Sequence, residues 1–196
     1  MLDRLVWIDC EMTGLDLVRD ALVEVAVIVT DAELTPLDDG IDLVMGAPAE
    51  AVDQMVDVVR EMHTASGLLE EIRTATLTVP EAETKLLDYI KQWVPDAGKA
   101  PLCGNSVATD RTFLARDMPA LESHLHYRMI DVSTIKELAR RWHPKIYWAS
   151  PAKKGGHRAL ADITESIEEL RYYRGALFIP PPPPSSAPAQ GETPNP

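Results

Sequence analysis

The chain has 196 residues, of which 45% are hydrophobic, and a formal net charge of −12. This length and apolar content are typical of one globular domain with a substantial core. The negative charge argues against a protein that binds long nucleic acid through lysine and arginine. It does not argue against binding of a short nucleic acid whose phosphates contact metal ions.

The N-terminus and the cysteines indicate in which compartment the protein folds. We expect no signal peptide, because a strand-like run starts almost at the first residue, and no stretch has the length and apolarity of a membrane span. Cys10 and Cys103 lie beside apolar residues and form no C-x-x-C pair. They are typical of small core residues in a reducing cytosol, and no zinc site is expected.

The first predicted element is a buried strand at residues 5–8 that runs directly into Asp9 and Glu11. Because strand side chains alternate, both carboxylates point to one side, at the carboxyl end where α/β sheets bind ligands. Two neighbouring carboxylates repel each other unless a proton or a cation lies between them, which suggests a hard divalent metal. An Asp-x-Glu triplet alone is a weak signal, since it also occurs in solvated turns after strands.

The next segments predict a hairpin followed by helices. Residues 21–30 form an apolar, β-branched run, and a short turn leads to a weaker third strand at residues 34–45, so the sheet is expected to be mixed. Residues 50–75 indicate short helices separated by breaks, and residues 80–94 a longer amphipathic helix. Leu15, in the loop after the acids, has two interpretations: a core residue under the loop, or an apolar surface for a base.

The second half alternates strands and helices. A short strand at residues 100–103 precedes a helix that carries Asp110 near its start, where an acid ordinarily interacts with the helix dipole. A fifth strand at residues 127–132 leads into a helix that ends before Pro144, and residues 145–156 are predicted to be a loop.

The last predicted helix covers residues 159–173 and contains Asp162, with His157 just before it. Five helical steps would separate these two side chains by about 140° around the cylinder, so both face one site only if His157 stands outside the helix. From residue 180 onward the chain is rich in proline and polar residues, which predicts polyproline II and then disorder. We therefore expect a domain at residues 1–178 and a disordered tail at residues 179–196.

Together the acids form a set suited to phosphodiester hydrolysis. Asp9, Glu11, Asp110 and Asp162 come from three separate segments, and His157 accompanies the last. Carboxylates can hold two divalent ions that stabilise the attacking and leaving oxygens, and a histidine is the usual base near neutral pH. Each piece is weak by itself; their order and their positions in the predicted elements make the set specific.

Several blocks in this order resemble the DEDDh family of 3′→5′ exonucleases. They are residues 7–15 (WIDCEMTGL), 63–68 (HTASGL), 103–106 (CGNS) leading to Asp110-Arg111 and Phe113-Leu114, 126–128 (HYR), 131–134 (DVST), 136–142 (KELARRW) and 157–163 (HRALADI). The resemblance spans about residues 5 to 175 and does not include the tail. Within the family it is greatest to members that degrade very short RNA.

The resemblance implies a ribonuclease H-like α/β fold, with a five-stranded mixed sheet flanked by helices. It implies a cytoplasmic, homodimeric 3′→5′ exoribonuclease that degrades dinucleotides above all, using two divalent cations, Mg²⁺ or Mn²⁺. By the same resemblance, Asp9 bridges the cations, Glu11 and Asp162 hold one, Asp110 serves the other, and His157 is the general base. A substrate with one or two phosphates needs no basic track, which agrees with the negative charge.

The resemblance also implies substrate contacts. Leu15 would wedge between the bases, His63 would line the site, and Ser106 would contact substrate near the metals. From residues alone, an ordinary loop or core histidine is favoured over a ligand at His63. The pocket around the substrate's 5′ end would be closed, partly from the second subunit, by Tyr127, Arg128, Ser133 and Thr134.

One departure and two alternatives remain. Family members often carry a tryptophan shortly before the His63 block, whereas residues 57–62 here are DVVREM. If that aromatic stacks on a base, stacking here is weaker or supplied elsewhere. A DEDDh exonuclease acting on longer DNA or RNA 3′ ends is the alternative enzyme. A non-catalytic binding module is disfavoured because all four acids and the histidine are present.

Overall fold

The structure, a computed structural model that describes residues 3–152 and 156–179, is built on one five-stranded sheet. In spatial order its strands are β3 (Ile41–Val44), β2 (Leu22–Thr30), β1 (Leu5–Met12), β4 (Pro101–Gly104) and β5 (His126–Asp131). β1 pairs antiparallel with β2 and parallel with β4, which confirms the predicted mixed sheet. The central place of β1 explains why its residues are almost all apolar until the acids begin.

Helices cover both faces of this sheet. In chain order they are α1 (Ala49–Asp53), α2 (Asp57–Ala65), α3 (Leu68–Thr74), α4 (Val79–Trp93), α5 (Ala108–Asp117), α6 (Pro119–His124), α7 (Val132–Trp142), α8 (Pro144–Trp148) and α9 (Ala159–Leu177). The short helices expected within residues 50–75 are therefore confirmed as α1, α2 and α3.

Alternation along β1 divides the core into two layers. Val6 and Ile8 pack with α4, α5 and α6, whereas Trp7 packs with the buried residues of α7 and α9. Asp9 and Glu11 have the same parity as Trp7, so β1 directs both acids to the face that α9 covers. The cysteines are free and buried, one in each layer, as the sequence predicted.

Three element boundaries predicted from the sequence are wrong. The third strand covers only Ile41–Val44, because Leu34 (φ 69°) and Gly40 (φ 82°) adopt left-handed backbone that breaks an extended run. The loop predicted at residues 145–156 is wrong at its start, because Pro144 opens the short helix α8, where a missing N–H does no harm at the first turn. The predicted end of the preceding helix before Pro144 is confirmed, since α7 ends at Trp142. The last helix is also longer than expected and ends at Leu177.

Within residues 3–152 and 156–179, no helix combines the length and apolarity needed to cross a membrane. The predicted disordered tail covers residues 179–196, of which the structure describes Ile179, whose side chain is exposed; residues 180–196 lie outside the described part of the chain.

Candidate active site

Three of the predicted acids converge at the end of the central strand. Asp9 and Glu11 come from β1, and Asp162 comes from the first turn of α9. One carboxylate oxygen from each residue lies within 4.8 Å of the other two. The convergence follows from the fold, because the odd-numbered face of β1 is the one against which α9 packs.

The environment of Glu11 makes this cluster electrostatically unfavourable without a cation. Its side chain is only 8% exposed. Burial, together with the nearby carboxylates of Glu24, Asp162 and Asp110, raises the pKa of Glu11 from 4.5 to about 8, while Arg158 acts in the opposite direction. Crowded carboxylate oxygens are the ligands that Mg²⁺ and Mn²⁺ prefer, so the donor set fits the divalent ions that the sequence predicted.

Asp110 stands beside this cluster rather than in it. It lies in the first turn of α5, is 7% exposed, and its Oδ1 accepts a hydrogen bond from the Cys10 amide at 3.0 Å. Burial raises the pKa of Asp110 to about 6. The structure therefore gathers three of the four predicted acids around one point and holds the fourth against the backbone between Asp9 and Glu11.

His157 lies outside α9, as the helical geometry required. The helix begins at Ala159, and His157 is exposed with a φ of 46°, in the left-handed region. Burial lowers the pKa of His63, and the hydrogen bond to Met12 acts in the opposite direction. The electrostatic effect of His157 also lowers the pKa of His63.

His63 is linked to the acids by a contact with Met12, and Leu15 follows Glu11 in the next loop of the chain. His63 is fully buried, and its Nε2 donates to the carbonyl oxygen of Met12, the residue after Glu11, at 2.9 Å. Its buried Nδ1 has no hydrogen-bond partner among the described residues. Leu15 is 74% exposed, so the interpretation of Leu15 as a core residue under the loop is wrong.

Ser106 and Ser133 belong to one polar network. Ser106 has a φ of 56°, its amide donates to Asp131 Oδ1 at 2.9 Å, and its hydroxyl hydrogen-bonds the Ser133 hydroxyl at 3.1 Å. Ser133 also donates to Asn105 Oδ1 at 3.0 Å. Thr134, the next residue of α7, is exposed. This network fixes the turn between β4 and α5 in a strained conformation that exposes Ser106.

Tyr127 and Arg128 lie on β5, the outer strand on that side of the sheet and two strands away from β1. Tyr127 is 72% exposed and stacks on His126 with ring centroids 4.5 Å apart. The Arg128 guanidinium lies over the Tyr127 ring at 5.3 Å. Both side chains therefore form an exposed aromatic and cationic group on the sheet edge.

The sequence interpretation missed an ion-paired group behind the acids. Glu24 of β2 is fully buried and lies directly opposite Glu11 in the strand register. Arg158 binds Glu24 with its Nε at 2.8 Å and Glu71 of α3 with both terminal nitrogens at 2.7 and 3.0 Å. The available signal was a glutamate within the apolar run of residues 21–30, since a buried charge needs a partner.

Comparison with known proteins agrees with this geometry. A family model described as exonuclease matches residues 6–170, and the chain belongs to this exonuclease family. More particularly, it is 61% identical over 190 residues to the oligoribonuclease of Streptomyces avermitilis, covering 97% of this chain and 94% of that protein. It is also 61% identical to the oligoribonuclease of a Mycobacterium species (strain KMS), covering 95% of this chain and 87% of that protein. The predicted membership of the DEDDh family is confirmed.

Solved structures with the same fold include exonuclease I proteins. The enzyme from Methylocaldum szegediense superposes with a TM-score of 0.64 at 20% identity, over 89% of this chain and 41% of that one. An exonuclease I from E. coli in complex with a dT13 oligonucleotide gives a TM-score of 0.66 at 14% identity, over 88% and 41%. At these identities the likeness concerns the fold, and it confirms the ribonuclease H-like fold. This chain spans about two fifths of their length.

Proposed function

We propose that this protein is a 3′→5′ exoribonuclease that hydrolyses very short RNA, dinucleotides above all, to mononucleotides. The observation that carries the proposal is the meeting of Asp9, Glu11 and Asp162 within 4.8 Å, in a chain 61% identical to oligoribonucleases. The proposal places the activity in residues 1–178 and in the cytoplasm, where free buried cysteines such as Cys10 are common.

The roles of the acids follow from their positions. We assign Asp9 as the shared ligand of two divalent cations, Glu11 and Asp162 as ligands of one, and Asp110 as a ligand of the other. The separate position of Asp110, held by the Cys10 amide, supports this division. When bound, Mg²⁺ or Mn²⁺ supplies positive charge that activates water and stabilises the leaving oxygen.

His157 is the proposed general base. Its imidazole is exposed and adjacent in sequence to α9, which carries Asp162, and an imidazole nitrogen accepts the proton of the attacking water. Standing outside the helix allows it to reach toward the acids without displacing the α9 backbone. The nearby His63, anchored on Met12, lines the same region in this proposal.

The substrate contacts are proposed from exposure and position. Leu15 projects from the loop after the acids and offers an apolar surface to the bases, and Ser106 and Ser133 present hydroxyl groups. The 5′ end is assigned to Tyr127, Arg128, Ser133 and Thr134. A substrate with one or two phosphates does not require the basic surface that a protein of net charge −12 lacks overall.

A homodimer is part of the proposal. The outer strand β5 and helices α7 and α8 expose large apolar side chains, and a sheet edge with such side chains is a typical protein interface. They are Tyr127 (72%), Met129 (42%), Leu138 (37%), Trp142 (67%) and Trp148 (80%). We assign this surface to a second copy of the chain, which would bring Tyr127 into its partner's site.

Complementation tests the shared site. Asp162→Ala and Tyr127→Ala are each expected to be inactive, whereas co-refolded mixtures should regain about one quarter of wild-type activity. Half of the dimers would then be mixed, and each mixed dimer would have one complete site. Activity that stays at the level of the separate variants would contradict a tyrosine acting across the interface, and a monomer in sedimentation would contradict the dimer.

The primary experiment is a rate series on RNA from two to about ten nucleotides, with a DNA control. We expect the dinucleotide to be hydrolysed fastest, with loss of activity in a chelator and recovery on adding Mn²⁺ or Mg²⁺. Equal rates on a dinucleotide and on an RNA of about twenty nucleotides would favour the alternative, an exonuclease for longer 3′ ends. Chelator-resistant cleavage would exclude the metal-dependent mechanism.

A further inference from the structure

Arg158, the residue after the proposed base, joins three separate parts of the fold. Its Nε donates to Glu24 Oε1 of β2 at 2.8 Å, and its two terminal nitrogens donate to the two carboxylate oxygens of Glu71 of α3. The residue itself is the N-cap of α9. A guanidinium that binds two carboxylates through parallel hydrogen bonds has a fixed orientation, so this contact restrains the chain at one defined point.

Burial makes the contact rigid. The Glu24 side chain is fully buried, and Arg158 is 28% exposed on its side chain. The second oxygen of Glu24 accepts from the Ala159 amide at 3.3 Å and so also satisfies an N-terminal N–H of α9. A buried carboxylate without a partner costs free energy, so separation of Arg158 from Glu24 is unfavourable in the folded protein.

The backbone at His157, next to this contact, has an unusual conformation that the contact can hold in place. His157 has a φ of 46°, an unusual conformation for a residue with a side chain, and it is exposed. Gly156 precedes it, with nothing within 4 Å of the position where a Cβ would stand. On the other side of His157, Arg158 makes the close contacts with Glu24 and Glu71 described above.

We propose that Arg158 is a positioning residue: its hydrogen bonds to Glu24 and Glu71 set the place of the His157 imidazole relative to the Asp9, Glu11 and Asp162 cluster. Glu24 lies on β2 opposite Glu11 in the strand register, so the same contact ties the base to the strand that pairs with the one carrying Asp9 and Glu11. The inference rests on the proposed function, in which His157 removes the proton from the attacking water. It assigns roles to two glutamates, Glu24 and Glu71, to which the proposed function gives no contact with substrate or metal.

The first test removes the more exposed half of the contact. Glu71→Gln keeps the shape of the side chain but weakens its hold on Arg158, and the matched control is the neighbouring Glu70→Gln, whose carboxylate pairs with Arg73 on the surface. For dinucleotide hydrolysis we expect kcat to fall about tenfold in Glu71→Gln, because a base displaced by a fraction of an ångström transfers protons poorly. KM should change less than about twofold, and Glu70→Gln should behave as wild type. Equal kcat values in the two variants would overturn the proposal.

A second test asks whether the effect passes through the histidine. In a His157→Ala background, Glu71→Gln should change the residual rate by less than about twofold, since there is no longer an imidazole to position. The same tenfold loss in that background would mean a general structural effect and would also overturn the proposal. Arg158→Lys, which retains the charge but cannot bind both glutamates in this way, should reproduce the loss of Glu71→Gln.

A third readout does not depend on metal or turnover. In metal-free protein, the imidazole resonance of His157, assigned by its disappearance in His157→Ala, should shift or broaden in Glu71→Gln and remain unchanged in Glu70→Gln. An unchanged resonance would count against positioning. If His157→Ala instead keeps wild-type kcat, the assignment of the base in the proposed function fails, whereas loss in His157→Ala without loss in Glu71→Gln rejects the role of Arg158 alone.

Discussion

Glu11 of β1 lies directly opposite Glu24 of β2, and both side chains are buried. Like charges facing each other across a strand pair destabilise a sheet, so the fold must compensate both. Arg158 neutralises Glu24, although burial and the charge of Asp42 still raise the pKa of Glu24 to about 7. Glu11 has the carboxylates of Asp9 and Asp162 as its neighbours instead, and the proposed function assigns a divalent cation to this arrangement.

This arrangement makes the stability of the metal-free protein depend on pH. The folded state keeps a proton on Glu11 up to a pKa of about 8, whereas the unfolded chain releases it near 4.5. The folded state therefore binds more protons between these values, and the free energy of unfolding should decrease as the pH rises from about 4.5 toward 8. Glu11→Gln should flatten this decrease, while Glu70→Gln should not, in denaturant titrations with a chelator present. Parallel curves for wild type and Glu11→Gln would contradict the assigned shift.

Metal ions should reverse that dependence. Because a cation binds the deprotonated carboxylate, Mn²⁺ should raise Tm more at a pH above 8 than at a pH near 6, with the pKa of Glu11 near 8 setting the midpoint. Calorimetry or a thermal-shift series with and without Mn²⁺ measures this. Asp162→Ala, which removes one of the three clustered carboxylates, should lose most of the stabilisation.

Asp162→Ala should abolish turnover without loss of the fold. We expect kcat to fall at least about a hundredfold, because a metal ligand is removed, while the metal-free protein stays as stable as wild type or becomes more stable since one repelling charge is gone. Glu168→Gln, on the exposed side of the same helix, is the control. Dinucleotide hydrolysis and Tm are the measurements, and near-normal activity of Asp162→Ala would refute the ligand role.

Leu15→Ala tests the proposed contact with the bases. The side chain is 74% exposed, so its truncation should leave Tm unchanged, whereas KM for a dinucleotide should rise about tenfold if binding buries it. Val18→Ala, in the same loop and 93% exposed, should leave KM as in wild type. Equal effects of the two substitutions would argue that the loop as a whole, rather than Leu15, acts on the substrate.

Removal of residues 180–196 should leave dinucleotide hydrolysis unchanged. The expectation comes from composition, since this segment is dominated by proline and small or polar residues with no apolar pattern for a core. Steady-state kinetics and sedimentation of the shortened and full chains make the comparison. A large loss of activity would indicate that the segment reaches the site or the dimer contact.

The sequence by itself determined the features that depend on local periodicity. Alternation along residues 5–11 placed Asp9 and Glu11 on one face, and helical geometry required His157 to stand outside α9, both of which hold in the structure. It also predicted the mixed sheet from the short turn after β2. It did not decide between two environments for Leu15, because exposure depends on what lies above the loop.

Only the tertiary structure decided the long-range pairs. Arg158 is 134 residues from Glu24 and 87 from Glu71, and no local pattern links three residues so far apart. Their contact arises because α9 packs on the face of the sheet where β2 and β1 pair in a particular register. Side-chain periodicity is a property of neighbouring residues, whereas the meeting of charges from distant segments depends on how complete elements pack, and only the folded chain fixes that.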